Sequence, residues 1–304
     1  MLQSLIGSKP TTKKHGIQNK VLITGSEGFI GSHLMKAFPD AVGYDLVNGD
    51  DILDTRRLVD IVQEYRPNVI IHLAAVSGVE YGPQECSMTN IVGTNNVIGA
   101  AIENNVKKII FASSAAVYPD FDDSFDEKYI CIPKTAYGIS KRAAEMYLQL
   151  ASIWIDNIII LRLFNVYGPR SRSVINKFIQ AGHSKRSATI YGSGKQSRDF
   201  IYIDDVVEVF KQFVEKNFEN GVYNVATGES TSILSLTKIM TEKFLSFAFR
   251  FDDPRLETET SKANISKIKS VLKWKPKVSL LEGIDKTIQY HKENYVYRRD
   301  TQPS

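Results

Sequence analysis

The sequence is poor in cysteine, in long apolar runs and in clustered metal ligands, and each shortage removes a class of protein. Two cysteines in 304 residues, Cys86 and Cys131, make no disulfide framework, so both read as free thiols in a reducing compartment. No apolar run approaches the ~18 residues of a membrane-spanning helix. The opening MLQSLIGSKPTTKKHGIQNK lacks the apolar core of a signal peptide. A cytoplasmic protein with no membrane partner is expected. Five histidines stand in no HExxH arrangement and the cysteines in no CxxC, which excludes a small metal-held module and leaves no metal site. Charge of one sign is scarce too: 38 Lys and Arg against 34 Asp and Glu leave +4. That mild excess suits an anionic small molecule as readily as nucleic acid and by itself selects neither. With 43% hydrophobic and 24% charged residues, the chain has ordinary globular composition. Its length suits one large domain or about two smaller ones.

What is present is a regular alternation. Residues 1–18 are polar and basic, with Pro10 and Gly16, and read as a flexible extension. Lys20–Thr24 then reads as a strand, Glu27–Phe38 as a helix stopped by Pro39, and Ala41–Asp45 as a second strand. A helix follows over Asp54–Tyr65 with Asp54 as N-cap, then a strand over Val69–Leu73. Asn90–Asn104 is predicted helical, Lys108–Ala112 a strand, Thr135–Ile155 a long helix and Ile158–Phe164 a strand. Strands that are apolar throughout, rather than alternating, suit a parallel sheet covered on both faces. The pattern predicts an α/β fold with a Rossmann-type doubly wound sheet over residues 19–169 and a return segment near 200–225. After Pro169 the rhythm breaks. Residues 170–199 and 226–304 are expected to form a smaller, discontinuous C-terminal lobe that binds substrate.

The first strand runs into Gly25-Ser-Glu-Gly28-Phe-Ile-Gly31, which opens a helix. Gly25 permits a tight turn, Gly28 lets a pyrophosphate approach the backbone, and Gly31 lets helix and strand pack closely. The helix N-terminus then offers free N–H groups and the positive end of its dipole. Asp45 ends the second strand 20 residues after Gly25. A carboxylate there accepts hydrogen bonds from an adenosine ribose and repels a 2′-phosphate; the plain alternative is a strand-end surface charge.

Tyr137-Gly-Ile-Ser-Lys141 places Tyr and Lys four apart on one helical face. Free tyrosine, with a pKa of about 10, is a poor base at neutral pH. A nearby ammonium stabilises the phenolate, so a lowered value is expected for Tyr137. Such a Tyr could exchange a proton with a sugar hydroxyl while hydride leaves the same carbon. Taken alone, the pair is more often the surface of an amphipathic helix.

Context comes from a resemblance. Gly25–Leu34, Ser113-Ser114-Ala-Ala-Val-Tyr118 and Tyr137–Lys141 resemble an extended short-chain dehydrogenase/reductase, and within it the NAD-dependent epimerase/dehydratase family. Asp51-Ile52, His72-Leu-Ala-Ala75, Asn90–Thr94, Arg162–Arg170, Arg198–Asp205, Ala263–Lys267 and Trp274-Lys-Pro276 match in order, so the resemblance spans about residues 20–285. It implies NAD, held by Gly25, Gly28, Phe29, Ile30, Gly31, Asp45, Asp51, Ile52, Leu73, Ala74, Ala75 and Asn90, with Tyr137 and Lys141. It implies Ser114, Tyr137 and Lys141 as the catalytic set. A nucleotide-diphosphate sugar would be held by Ser114, Asn165, Thr189, Tyr191 and Arg198. A homodimer and no nucleic-acid partner are implied as well. His72 reads more simply as a packed strand-end residue.

Dehydratases and decarboxylases of the resembled family carry an acid just before the Val-Tyr pair, and this chain has Ala115-Ala116. Alanine transfers no proton, so the pattern resembles the 4-epimerases. Dehydration, 4-keto reduction and non-catalytic NAD binding stay open as alternatives. Pro119 stands where the family has Gly, Val76–Met88 is short, and Arg255 replaces the usual late arginine stretch.

Overall fold

Runs of valine, leucine and isoleucine are stiff at χ1 and apolar on both sides, and they form the strands. These are Val21–Thr24 (β1), Val42–Tyr44 (β2), Val69–His72 (β3), Lys108–Ser114 (β4), Asn157–Leu163 (β5) and Gly221–Val225 (β6). The computed structural model describes residues 19–77, 81–119, 124–184, 186–254 and 259–300. The extension read over residues 1–18 and Arg255 lie outside the described residues. The six strands form one sheet in the order β6-β5-β4-β3-β1-β2, every pairing parallel.

The connecting helices are Phe29–Ala37 (α1), Thr55–Tyr65 (α2), Gly93–Glu103 (α3), Ala136–Ala151 (α4) and Ile203–Glu215 (α5). Alternate strand residues feed two separate cores. Ile23, Ile71, Ile110 and Ile159 pack with Leu34 of α1 and with Val206, Phe210 and Phe213 of α5. Leu22, Ile70, Ile109 and Ile160 pack with Leu58 of α2, Val97 of α3 and Leu148 of α4. The sheet is therefore covered on both faces, which is why its strands lack a polar side. Burying each such side chain contributes about 1.5–3 kcal/mol relative to leaving it in water. Asp54 caps α2 as expected, its Oδ1 accepting from Arg57 N at 3.0 Å.

Beyond Pro169 the strands shorten. Phe200–Val214 resolves into a three-residue strand, Phe200–Tyr202, followed directly by α5. That strand pairs in parallel with Asn165–Tyr167. Asp204 and Asp205 stand in the first turn of α5, where negative charge complements the helix dipole. Ser187–Tyr191 pairs with Ala248–Asp252, and Ser197–Arg198 lies between Thr231–Ser232 and Thr260–Ala263. Among the described residues no helix is long and apolar enough to cross a membrane.

One buried ionic network joins α4 to the middle of the sheet. Glu145 of α4 is fully buried and receives Arg162 of β5 through both oxygens: Nε reaches Oε1 at 2.9 Å and Nη2 reaches Oε2 at 2.8 Å. Ser113 of β4 donates to the same carboxylate at 2.6 Å and Arg142 at 3.0 Å. Arg162 Nη1 donates to the Tyr118 hydroxyl at 2.9 Å, which donates to Asn224 of β6 at 2.7 Å. Burial disfavours the charge on Arg162, but the hydrogen bonds and charge of Glu145 outweigh it, and the guanidinium is held above its ordinary value.

Removing one partner of such a pair strands a charge in the interior. Glu145→Ala should therefore lose about 3–5 kcal/mol in chemical denaturation. The double variant Glu145→Leu with Arg162→Met should lose less than either single change. Wild-type stability in Glu145→Ala would contradict this account.

Candidate active site

The site is assembled at the C-terminal ends of the strands, where open α/β sheets place their crevices. Gly25 turns the chain out of β1 with φ +73°, the left-handed region that glycine enters without strain. It also lies so close to the strand-end loop that a Cβ there would sit 2.7 Å from Ala74 N. A Cβ on Gly31 would strike the carbonyl of Gly25, so the third glycine has the packing role expected of it. Gly28 is the N-cap of α1, and the chain enters the helix without a side-chain cap. The first-turn N–H groups of Phe29 and Ile30 thus point outward with no partner within the helix.

Asp45 stands where β2 ends. Its Oδ2 accepts from Glu27 N at 2.9 Å and its Oδ1 from Val47 N at 3.0 Å, so the carboxylate is fixed against the glycine loop. Asp51 is held locally, its carboxylate accepting from Leu53 N at 2.9 Å and its carbonyl from Tyr44 Oη at 2.9 Å. Ile52 faces inward: it is buried against Gly93, and its carbonyl accepts from Asn96 at 2.9 Å. Leu73, Ala74 and Ala75 are half-buried beside the glycine loop.

Asn90 does not lie on the surface of the cleft. It is 1% exposed. Its amide is engaged beneath the strand-end loop, with Val76 N at 2.9 Å, Val76 O at 3.0 Å and Ser140 Oγ at 2.9 Å. It stands in a π-helical stretch, Cys86–Val92, that leads into α3, a widening often found at functional sites. His72 is buried and bridges Thr24 Oγ1 at 2.7 Å and Thr94 Oγ1 at 3.0 Å. Thr94 donates onward to the carbonyl of Asn90, so His72 Nε2 carries the proton and Nδ1 accepts from Thr24. Burial first, and the Lys141 charge second, push its pKa down to about 3. His72 is thus a neutral packing residue, as the sequence suggested.

Thr135 caps α4, accepting from Gly138 N at 3.0 Å. Gly138 then meets the turn over Ala115–Val117 so closely that a Cβ would strike the Ala116 carbonyl. This contact sets Tyr137 beside Ser114, whose side chain favours the charged form of the phenol. Lys141, one turn later, is 3% exposed and donates to the Ala112 carbonyl at 2.9 Å. Its ammonium lies 5.9 Å from the centroid of the Tyr137 ring. Tyr137 titrates high rather than low. Burial pushes it up to about 12, with Ser114 pulling the other way. Burial also pushes Lys141 down to about 7, opposed by the charge of Glu145. Desolvation therefore dominates both members of the pair, an effect that helix spacing does not reveal. Glu145 itself lay within reach of sequence reading, because Tyr137, Lys141 and Glu145 repeat every four residues along one face of α4. Cys86, whose charge would act on Tyr137 from the facing helix, had no such signal.

Four of the five expected substrate residues come together, and Ser114 is not with them. Asn165, Thr189, Tyr191 and Arg198 line one cavity of about 590 Å³, with Phe29 from the glycine loop. Arg172, Lys177 and Gln196 line it as well. Among the described residues no carboxylate does, so the cavity is electrostatically suited to an anion.

A family model, the NAD dependent epimerase/dehydratase family, matches residues 21–226. The chain belongs to the NAD-dependent epimerase/dehydratase family. It is 30% identical to the dTDP-D-glucose 4,6-dehydratase of Homo sapiens, over 92% of this chain and 92% of that protein. The UDP-glucose 4-epimerase of Thermotoga maritima, solved with UDP-glucose, superposes with TM-score 0.84 at 29% identity, covering 91% of this chain and 99% of that one. The UDP-glucuronic acid 4-epimerase of Bacillus cereus, solved with UDP-glucuronic acid and NAD, gives 0.83 at 30% identity, covering 91% and 100%.

The glycine loop of this family member fits the family's cofactor, because its turn is held too tightly for side chains at Gly25 or Gly31 and α1 presents its first-turn N–H groups there. Titration should show tighter binding of NAD than of NADP, since the fixed Asp45 carboxylate repels a 2′-phosphate. Asp45→Ala should weaken that preference. Tighter NADP binding by the wild type would sink this role for Asp45.

Proposed function

We propose that the protein is an NAD-dependent nucleotide-sugar 4-epimerase. The observation that carries this reading is the pair Ala115-Ala116 in the turn beside Tyr137. Ser114, Ala115 and Ala116, in and before that turn, carry no carboxylate. Elimination of water from a sugar needs a further acid and base next to the oxidised carbon. Ser114, Tyr137 and Lys141 supply one proton-transfer centre only.

The chemistry that NAD supplies in this family is reversible hydride acceptance. The glycine loop, Asp45 and the Leu73–Ala75 segment would hold it. Arg198 and Asn165 would grip the diphosphate, the guanidinium offering a fork to phosphate oxygens, while Thr189 and Tyr191 flank the base. Ser114 would orient the C4 hydroxyl. Tyr137 would take its proton and later return one, with Lys141 stabilising the phenolate. After the sugar turns over, the same groups act on its other face. Residues 170–199 and those after 225 would thus serve the nucleotide sugar, and the six-stranded sheet the cofactor.

A second reading, dehydration, draws on the likeness to the human dTDP-D-glucose 4,6-dehydratase. Product analysis separates the two. Incubated with a panel of nucleotide sugars and followed by NMR, the wild type should invert C4 and release no 4-keto-6-deoxy product. Tyr137→Phe should keep its fold and NAD binding yet lose about 10²–10⁴-fold in rate, and Ser114→Ala should lose less. A dehydrated product would remove the epimerase reading, and full activity in Tyr137→Phe would remove the catalytic set.

Assembly follows from an exposed apolar face. Met88 and Val92 in the Cys86–Val92 stretch, and Ile139, Met146, Leu150 and Trp154 on or just beyond α4, all lie in water in the isolated chain. Such a patch marks an interface, and we assign it to a two-fold homodimer, the commonest closed assembly. Sedimentation should show a dimer at micromolar concentration, and Met146→Glu with Leu150→Glu should give a monomer.

A further inference from the structure

Asp199 is fully buried, yet among the described residues no cationic side chain is paired with it. Its carboxylate instead gathers donors from two distant segments. Oδ1 accepts from Thr227 N at 2.8 Å and Thr227 Oγ1 at 2.6 Å. Oδ2 accepts from Gly228 N at 2.8 Å and Ala263 N at 3.3 Å. Thr227 and Gly228 follow closely on β6, the edge of the central sheet. Ala263 ends the strand that lies beside Ser197–Arg198. The backbone carbonyl of Asp199 in turn accepts from Asn165 N at 3.0 Å. Burial pushes the carboxyl up, and the four hydrogen bonds draw it back.

This one residue therefore adjoins Arg198 in the chain and holds Asn165 through its backbone. Its own side chain is anchored to the end of the sheet. A dry carboxylate with four fixed donors cannot turn without leaving some of them unmet, and each buried donor left unmet is expensive. Asp199 is absent from the lining of the cavity, whereas Arg198 and Asn165 both line it. We propose that Asp199 is a positioning residue for the nucleotide sugar, setting Arg198 and Asn165 in the diphosphate site without touching the substrate. The proposal rests on the nucleotide-sugar reading given above.

The test is calorimetric titration with UDP or dTDP, whichever the wild type binds, and separately with NAD. Asp199→Asn puts an amide N–H₂ against N–H donors. It should weaken nucleoside-diphosphate binding about 10–100-fold, raise KM in parallel and leave kcat and NAD affinity at wild-type values. Thr227→Val removes one donor and should weaken the same binding about 3–10-fold. Because Asp199 acts in part through Arg198, adding Asp199→Asn to Arg198→Gln should cost less than the sum of the two single losses. If Asp199→Asn does not fold, the Thr227→Val arm decides on the same readings. Unchanged diphosphate binding, additive losses, or NAD affinity and Tm falling in step with diphosphate affinity would each overturn the proposal. A wild type that binds NAD but neither diphosphate would remove the functional reading itself, and the proposal with it.

Discussion

The carboxylate of Glu145 has two oxygens and meets three partners: the fork of Arg162, the hydroxyl of Ser113 and the guanidinium of Arg142. Burying an ion pair carries a desolvation penalty that only good geometry offsets. Here the geometry is bidentate, and the spare N–H of Arg162 is used by Tyr118. What the pair secures is position. Glu145 lies on the same helical face as Tyr137 and Lys141, Ser113 precedes Ser114, and Tyr118 ends the turn that begins there. Every group assigned to proton transfer is thus within a few residues of a member of this network. Through Asn224 the network also reaches β6 and the Phe125 carbonyl, so the edge strand beside β5 shares the same restraint.

The sheet was legible because its signal is local. Val69 to His72 and Asn157 to Leu163 are apolar almost without interruption, and only a strand covered on both faces tolerates that. The glycine loop was legible because three glycines at fixed spacing between a strand and a helix suit a phosphate cradle far better than a plain turn, which needs one. The inward orientation of Asn90 and Ile52 was not legible. Their matching motifs gave position along the chain, whereas the direction of the side chain depends on Val76, Ser140 and Gly93, all distant or across a turn. The titration of Tyr137 was misjudged for a related reason. Spacing reveals the neighbouring charge but not the exclusion of water. The short strands after Pro169 carry two to five residues each, too few for any periodicity, and their partners lie far off in sequence.

Dehydratases and epimerases both align with this chain along nearly its whole length. With the solved epimerase the shared part is the frame of the fold. A frame of this kind is compatible with more than one outcome for the sugar. The outcome depends on which extra protons can be moved near C5 and C6, and hence on a few side chains that overall identity hardly registers.

The close contact between Gly138 and the Ala116 carbonyl has a consequence for descent. It joins the backbone of the turn to the backbone of the helix, a contact that does not run through the side chains at positions 115 and 116. A substitution at either position leaves that backbone contact in place. On the 4-epimerase reading proposed above, an ancestor could exchange one sugar chemistry for another through single-codon changes there. In genomes, that same reading would take the reaction of a distant cousin of this chain from the dipeptide rather than from its nearest relative on a tree.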